Sequence, residues 1–157
     1  MRAISLWQPW ASAIAVDAKR IETRDWYTGY RGPLAIHAAK RMVKRELADF
    51  DMDPEWIAAL GTKEPLATML PFGAIVAICY LSDCRRTESF PGEELDSLRH
   101  RDGWQAGWCE RDMGDFTPGR WGWVLDHITP LMEPLPYKGM QGFFDVPDHL
   151  FDGRFGA

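Results

Sequence analysis

Two apolar segments with a strand pattern constrain the fold of this chain more than any other feature. Ala74–Leu81 is rich in β-branched and apolar residues, which is typical of a buried strand. In Arg120–Ile128, the apolar residues Trp121, Trp123 and Leu125 alternate with the residues between them, and this period of two also indicates a strand. We therefore expect two long strands around which a sheet is built.

Shorter patterns surround these two segments. Further strands are expected at Ala3–Leu6, Ile21–Arg24, Leu34–His37 and Gly142–Val146, and helices from Pro9 to about Ala18, over Lys40–Phe50, from Pro54 to Leu60 and over Glu64–Leu70. The polar stretch Glu93–Glu110 is expected to be a loop with one or two helical turns, and Pro130, Pro134 and Pro136 are expected to interrupt the chain after the last long strand. About six strands mixed with short helices predict an α+β fold built on a small mixed β-barrel.

Length and composition predict one soluble globular domain over residues 1–157. The chain shows no repeat, linker or low-complexity segment, and 46% hydrophobic with 26% charged residues excludes a disordered chain. Leu66–Ser82 carries no charge, but Pro71 and Gly73 divide it, and a membrane-spanning helix needs about 20 apolar residues. No membrane segment is therefore expected.

Cysteine and histidine usage predicts a cytoplasmic protein without a metal or other cofactor. Cys79, Cys84 and Cys109 lack C-x-x-C spacing and no secretory signal is evident, so they are expected to be reduced thiols. The four histidines are scattered, without the spacing of metal ligands. G-x-S-x-G, P-loop and G-x-G-x-x-G motifs are also absent from the sequence.

Charge is unevenly distributed along the chain. The net charge is −5 overall, yet residues 1–45 hold nine Lys and Arg against three Asp and Glu, for a net +6, and the remainder carries −11. The overall sign argues against a generic basic coat for nucleic acid, while the first third predicts a local positive path. This path would include Arg20, Arg31, Lys40, Arg41 and Lys44. The alternative is that the two charge classes mix in space.

Lys40 and Arg41 are predicted to lie in the first turn of a helix. The helix dipole disfavours cations there, and a bound anion is one physical reason to place them at that end. The alternative is that Lys and Arg are simply good helix formers, with a penalty of only about 0.3–1 kcal/mol.

The most informative segment runs from Ser5 to Arg31. Lys19, Glu22 and Arg24 lie within six residues of one another, near Trp7, Trp10 and Trp26. In an extended strand Glu22 and Arg24 point to one face and Thr23 to the other. A carboxylate, two cations and aromatic rings suit a nucleobase or nucleotide: the ring stacks, the carboxylate accepts base N–H groups and the cations hold oxygens. The alternative is a surface strip of ion pairs.

These residues resemble a known family. SLWQPWAS (residues 5–12) followed by Lys19-x-x-Glu22-x-Arg24 resembles the ASCH (activating signal cointegrator homology) domain, whose hallmark motif is G-x-K-x-x-E-x-R. Four later segments resemble ASCH proteins of the same bacterial and phage type: RGPLAIHAAK (31–40), LPFGAIVAI (70–78), PGRWGW (118–123) and KGMQGF (138–143).

The resemblance implies a PUA-like barrel with a cleft lined by the motif, and a role in recognising RNA or nucleotides. It also implies enzymes in some branches: one is an amidohydrolase of acetylated cytidine that uses a lysine, a threonine and a glutamate, and ribonuclease activity is attributed to others. This chain departs from the pattern at two positions. Asp17 replaces the motif glycine, and Glu22 stands where the amidohydrolase branch has threonine.

We therefore expect a domain that binds RNA, single-stranded nucleic acid, a nucleotide or a modified nucleoside, as a monomer. The expected ligand-binding residues are Trp7, Gln8, Trp10, Lys19, Glu22, Arg24, Arg31, His37, Lys40 and Arg41. If the protein is an enzyme, a hydrolase in the same cleft, the expected catalytic residues are Lys19 and Glu22, with Glu110 suggested by its position before the Pro118 turn. A protein-interaction module without a nucleotide is the remaining alternative.

Overall fold

A computed structural model describes residues 1–41, 44–99 and 107–154, with residues 44–46 as backbone only. Six strands form one mixed sheet in the order β2-β5-β4-β3-β1-β6. They are β1 (Arg2–Leu6), β2 (Ile21–Arg24), β3 (Gly32–Ala38), β4 (Ala74–Arg86), β5 (Trp121–Pro136) and β6 (Phe143–Asp145). Only β1 and β3 pair in parallel among these strands. The prediction of an α+β fold on a small mixed barrel of six strands is confirmed.

The barrel is a half-barrel with an open side. Strands β2 and β6 are the two edges of the sheet, and no ladder joins them in the part of the chain that the structure describes. A side chain crosses the opening instead, because Arg24 on β2 donates from Nη2 to the carbonyl oxygen of Ser5 on β1 at 3.0 Å. Aromatic packing covers the same side, where Phe143 stacks on Trp123 with ring centroids 5.4 Å apart.

Five short α-helices flank the sheet in the described parts of the chain. They are α1 (Trp10–Ala15), α2 (Lys44–Asp51), α3 (Pro54–Leu60), α4 (Leu66–Met69) and α5 (Gly92–Asp96). The predicted limits of α3 are confirmed: the Asp53 carboxylate accepts from the backbone N–H of Glu55 at 2.9 Å, and Gly61 ends the helix with φ at 64°. None of the described helices is long and apolar enough to cross a membrane.

The prediction that α2 begins at Lys40 is wrong. The described helix begins at Lys44, and Lys40 and Arg41 precede it in irregular backbone. A helix dipole therefore gives no reason for their charge. Met42 and Val43, which the predicted helix included, lie outside the described residues.

Strand β5 is longer than predicted because it continues through its prolines. Pro130 and Pro136 pair in register with Ala77 and Ala74 of β4. Strand β2 pairs only with residues 121–124 of β5, so the second half of β5 has β4 alone as a described partner. A proline, which lacks the N–H group, is tolerated on such an edge.

The corner before β2 keeps a glycine-like backbone without a glycine. Asp17 has φ at 60°, in the left-handed region that favours glycine. Its carboxylate accepts from Arg20 Nε at 2.7 Å and Arg20 Nη2 at 2.5 Å. The replacement of the motif glycine by Asp17 therefore leaves the corner in place.

Candidate functional site

A cavity of about 520 Å³ lies where β1, β2 and the segment after residue 111 meet. Strands β1 and β2, helix α1 and residues from the segment 112–120 contribute to its lining, and the polar members include acids as well as bases. The lining residues are Ser5, Leu6, Trp7, Trp10, Glu22, Thr23, Arg24, Asp112, Met113, Gly114, Asp115 and Arg120. This space, called the motif cavity below, brings four of the predicted ligand-binding residues together: Trp7, Trp10, Glu22 and Arg24.

Lys19 is the floor beneath the motif cavity rather than part of its lining. The side chain is fully buried. Its ammonium donates to the carbonyl oxygens of Ile21 at 2.5 Å and Met113 at 2.7 Å, and Nζ lies 3.5 Å from Glu22 Oε2. Three N–H groups thus face three oxygens of the protein, as a buried cation requires.

Glu22 is held between two cations while facing the cavity. Its Oε1 lies 3.3 Å from Arg24 Nε and its Oε2 lies 3.5 Å from Lys19 Nζ, with 13% of the side chain exposed. These are ion-pair distances longer than good hydrogen bonds. The carboxylate therefore retains lone pairs that can accept N–H groups from a ligand.

Thr23, which strand alternation predicts on the other face of β2 from Glu22 and Arg24, lines the motif cavity as well. Its Oγ1 accepts from the backbone N–H of Asp115 at 2.9 Å. Strand β2 is an edge of the sheet, and the Thr23 methyl carbon lies 3.2 Å from where a Cβ at Gly114, another lining residue, would stand.

Glu110 anchors the motif from below. The buried carboxylate accepts from the backbone N–H groups of Arg20 and Ile21, at 2.7 and 3.1 Å, and from Arg99 Nη1 at 2.9 Å. It does not line the motif cavity. The structure therefore places this predicted catalytic candidate where it fixes the start of β2 and not where it faces the cavity.

The two tryptophans at the cavity differ in their surroundings. Trp10 packs edge-on against Phe50 and Trp56, which ties it to the helices beside the sheet. Trp7 is 50% exposed, and the Arg41 guanidinium lies 4.5 Å from its ring centroid. Trp7 thus stays half-exposed beside Arg41, and an exposed aromatic ring is a surface on which bases stack.

A second cavity of about 680 Å³ lies on the other side of Trp7 and Ser5. Its lining residues are Ser5, Trp7, His37, Ala39, Lys40, Phe72, Gly73, Tyr137, Lys138, Gly139, Met140 and Gln141. The two cavities share Ser5 and Trp7. Of the predicted residues, His37 and Lys40 are therefore placed in this second space, called the lysine cavity below, and not in the motif cavity.

His37 is buried in the wall of the lysine cavity. Its Nε2 lies 3.0 Å from the carbonyl oxygen of Tyr137, which requires a proton on Nε2, and Nδ1 then accepts from the Ser5 hydroxyl at 2.9 Å. Burial lowers the pKa of His37, and the bond to Tyr137 opposes that shift. The ring therefore favours the neutral form and holds the 137–141 segment against β1 and β3.

Three other predicted residues lie away from both linings: Gln8, Arg31 and Arg41, whose contact with Trp7 is described above. Gln8 is buried and donates to Ser12 Oγ and to the carbonyl oxygen of Pro71, each at 2.8 Å. Arg31 donates to the carbonyl oxygens of Thr28 and Tyr30 and to Asp83. Both side chains hold the local backbone together. The side chain of Lys44, part of the predicted positive path, lies outside the description.

Sequence reasoning missed Asp112, Asp115, Arg120 and Lys138 as lining residues. Arg120 and Lys138 do fall within segments on which the family resemblance rests, so a signal was available for them. The two aspartates lie in polar loop sequence without periodicity, and only the path of the chain over β2 brings them to the cavity.

Other reactive groups in the described residues point to no further centre. They contain no group of three or more His, Cys, Asp or Glu side chains that could hold a metal ion. The three cysteines are free and buried, and burial raises the pKa of the Cys79 thiol to about 12. These thiols stay protonated and unreactive near neutral pH.

Comparisons with known proteins identify the family of this chain. The sequence pattern of the ASCH domain matches residues 4–107. Over 100 residues, or 63% of its length, the chain is 30% identical to activating signal cointegrator 1 from Homo sapiens and from Mus musculus, and it spans 17% of the length of those relatives.

Two solved structures have a similar fold. The crystal structure of ASCH from Zymomonas mobilis aligns with a TM-score of 0.51 at 13% identity, covering 95% of this chain and 89% of the other. A tyrosine-to-phenylalanine mutant of that same protein aligns with a TM-score of 0.52 at 14% identity, covering 95% and 91%. At this identity the likeness concerns the fold alone.

Proposed function

The chain belongs to the ASCH domain family, and on that premise we propose that the motif cavity binds RNA, single-stranded nucleic acid or a nucleotide. The observation that carries the proposal is the half-exposed ring of Trp7 beside the Glu22 carboxylate and the Arg24 guanidinium in one cavity. These are the three chemical groups that a nucleobase needs: a face to stack on, an acceptor for its N–H groups and a donor for its carbonyl oxygens.

The cavity is matched to a base more than to a bare anion. Its charged lining comprises three carboxylates, from Glu22, Asp112 and Asp115, and two guanidinium groups, from Arg24 and Arg120. Arg120 is partly engaged by Asp115, with Nε 3.3 Å from Oδ2. A balance of acceptors and donors suits the mixed edge of a base, whereas a phosphate would meet repulsion from the acids.

The experiment is a binding titration of short single-stranded RNAs of mixed sequence against wild type and two variants. Trp7→Ala removes the stacking face, and Tyr80→Ala is the matched control, because Tyr80 is 43% exposed and lines neither cavity. We expect Trp7→Ala to weaken binding by roughly 5- to 150-fold, equivalent to about 1–3 kcal/mol per stacked base. Equal affinity of the two variants, or no binding by wild type at low salt, would refute the proposal.

Hydrolysis in the same cavity is the second candidate, favoured by the position of Thr23. Its side chain and Lys19 Nζ both approach Gly114, 3.2 and 3.4 Å from where a Cβ at that residue would stand. Against it, Lys19 does not line the motif cavity, and its three N–H groups already face protein oxygens. Product analysis with acetylcytidine and RNA tests this candidate: turnover by wild type that is lost in Thr23→Val, while binding survives, would favour the hydrolase.

A further inference from the structure

The lysine cavity differs from the motif cavity in the sign of its charge. Lys40 and Lys138 are the charged residues of its lining, and neither Asp nor Glu is among the described residues that line it. Both lysines are exposed, and neither forms an ion pair with a described residue. Two uncompensated cations facing one cavity attract an anion.

The two lysines reach the cavity from segments that the fold holds together. Lys40 follows β3 and Lys138 follows β5. Backbone bonds tie these ends through Gly73, whose N–H donates to Ala38 and whose carbonyl oxygen accepts from Tyr137, at 2.8 and 3.1 Å. The cavity wall is therefore fixed before any ligand arrives, and such preorganisation lowers the entropic cost of binding.

Room beside Lys138 depends on a glycine. A Cβ at Gly139 would stand 2.5 Å from Ser5 Oγ and 2.7 Å from His37 Nδ1, so only glycine fits there. The backbone of the 137–141 segment consequently lies close against β1 and β3, next to the residues that both cavities share. The lysine cavity thus begins where the motif cavity ends, at Ser5 and Trp7.

We propose that the lysine cavity binds the phosphate attached to the nucleoside whose base occupies the motif cavity. The ligand is then a nucleotide unit of a strand, laid across Trp7 with its base among Glu22 and Arg24 and its phosphate between Lys40 and Lys138. Arg41, seated over the Trp7 ring, adds positive charge along the same path. This inference rests on the proposed function and deepens it, because it distinguishes nucleotides from nucleosides as ligands.

The test compares each of the four ribonucleosides with its 3′- and 5′-monophosphate by calorimetric titration at low salt. The proteins are wild type, the double variant Lys40→Gln/Lys138→Gln, and Lys63→Gln, an exposed lysine outside both linings, as the matched control. We expect at least one monophosphate to bind wild type about tenfold or more tightly than its nucleoside, the order of one charge-assisted contact. The double variant should lose this advantage while keeping nucleoside affinity, and Lys63→Gln should retain it.

Two outcomes would overturn the inference, and they are distinguishable. Equal affinity of wild type for nucleosides and monophosphates, or a phosphate advantage that survives in the double variant, would refute phosphate binding in the lysine cavity but not the proposed function. Failure of wild type to bind nucleosides, monophosphates or short RNA would refute both this inference and the proposed function. Because both lysines are exposed, the double variant is expected to fold, and circular dichroism before titration verifies this.

Discussion

Charged side chains have different surroundings beneath the motif cavity, which we call the floor of the site, and at the exposed lysine cavity, which we call its rim. On the floor, the Lys19 ammonium and the Glu110 carboxylate are buried, and each faces three partners from the protein. On the rim, Lys40 and Lys138 are exposed and form no ion pair with described residues. The difference shows that a charged residue does not bind a ligand merely because it belongs to a sequence motif. Its partners in the fold determine whether its charge is available to a ligand.

The largest expected difference between floor and rim concerns stability. Lys19→Met leaves two carbonyl oxygens and Glu22 without their cation, and breaking a buried pair typically costs about 3–5 kcal/mol in the free energy of unfolding. Lys40→Met, at the exposed rim, should change it by no more than about 0.5 kcal/mol. Urea denaturation of both variants measures the contrast, and similar values for the two would erase the distinction.

Glu110 extends the same contrast to the acids. Glu110→Gln keeps the volume but replaces one of the acceptor oxygens with a donor that faces backbone N–H groups, so we expect a loss of about 1–3 kcal/mol. Glu133→Gln, at an exposed glutamate, is the matched control and should be nearly neutral. A neutral Glu110→Gln would show that the carboxylate does not anchor β2.

Two variants of Asp17 separate the effect of its left-handed backbone on stability from the effect of its charge. Asp17→Gly and Asp17→Ala both remove the ion pair with Arg20, but only alanine keeps the cost of a left-handed backbone. We expect the glycine variant to be more stable than the alanine variant by about 1 kcal/mol. Thermal denaturation of the pair tests this, and equal stabilities would argue against the left-handed corner.

The smallest expected effect is the pH dependence that His37 imposes. Because burial lowers its pKa in the folded protein, the folded state is favoured above the unfolded-state pKa of about 6.5 and loses stability as the pH falls below it. This one group contributes a slope below about 1.4 kcal/mol per pH unit. Urea denaturation of His37→Gln should show a flatter dependence between pH 7 and pH 5 than that of wild type, and an unchanged dependence would contradict the role of His37.

The sequence predicted elements better than it predicted how side chains are used. The strand patterns of β2, β4 and β5 and the cap of α3 are local, so periodicity and turn chemistry identified them. Burial of Lys19 under the segment that follows Glu110 depends on contacts about 90 residues apart along the chain, which no local pattern records. The same holds for Thr23, whose exposure to the cavity follows from the chain that crosses an edge strand.

The open side of the half-barrel is spanned by the Arg24 side chain, and no described strand pairing closes it. Two paired strands are joined by many backbone hydrogen bonds, so a change in their pairing disturbs many of these bonds together. The bond from Arg24 to Ser5 belongs to one replaceable residue. Substitution of Arg24 alone would remove this bond and leave the backbone of the five described strand pairings unchanged, so we expect the width of the opening to depend on this one side chain.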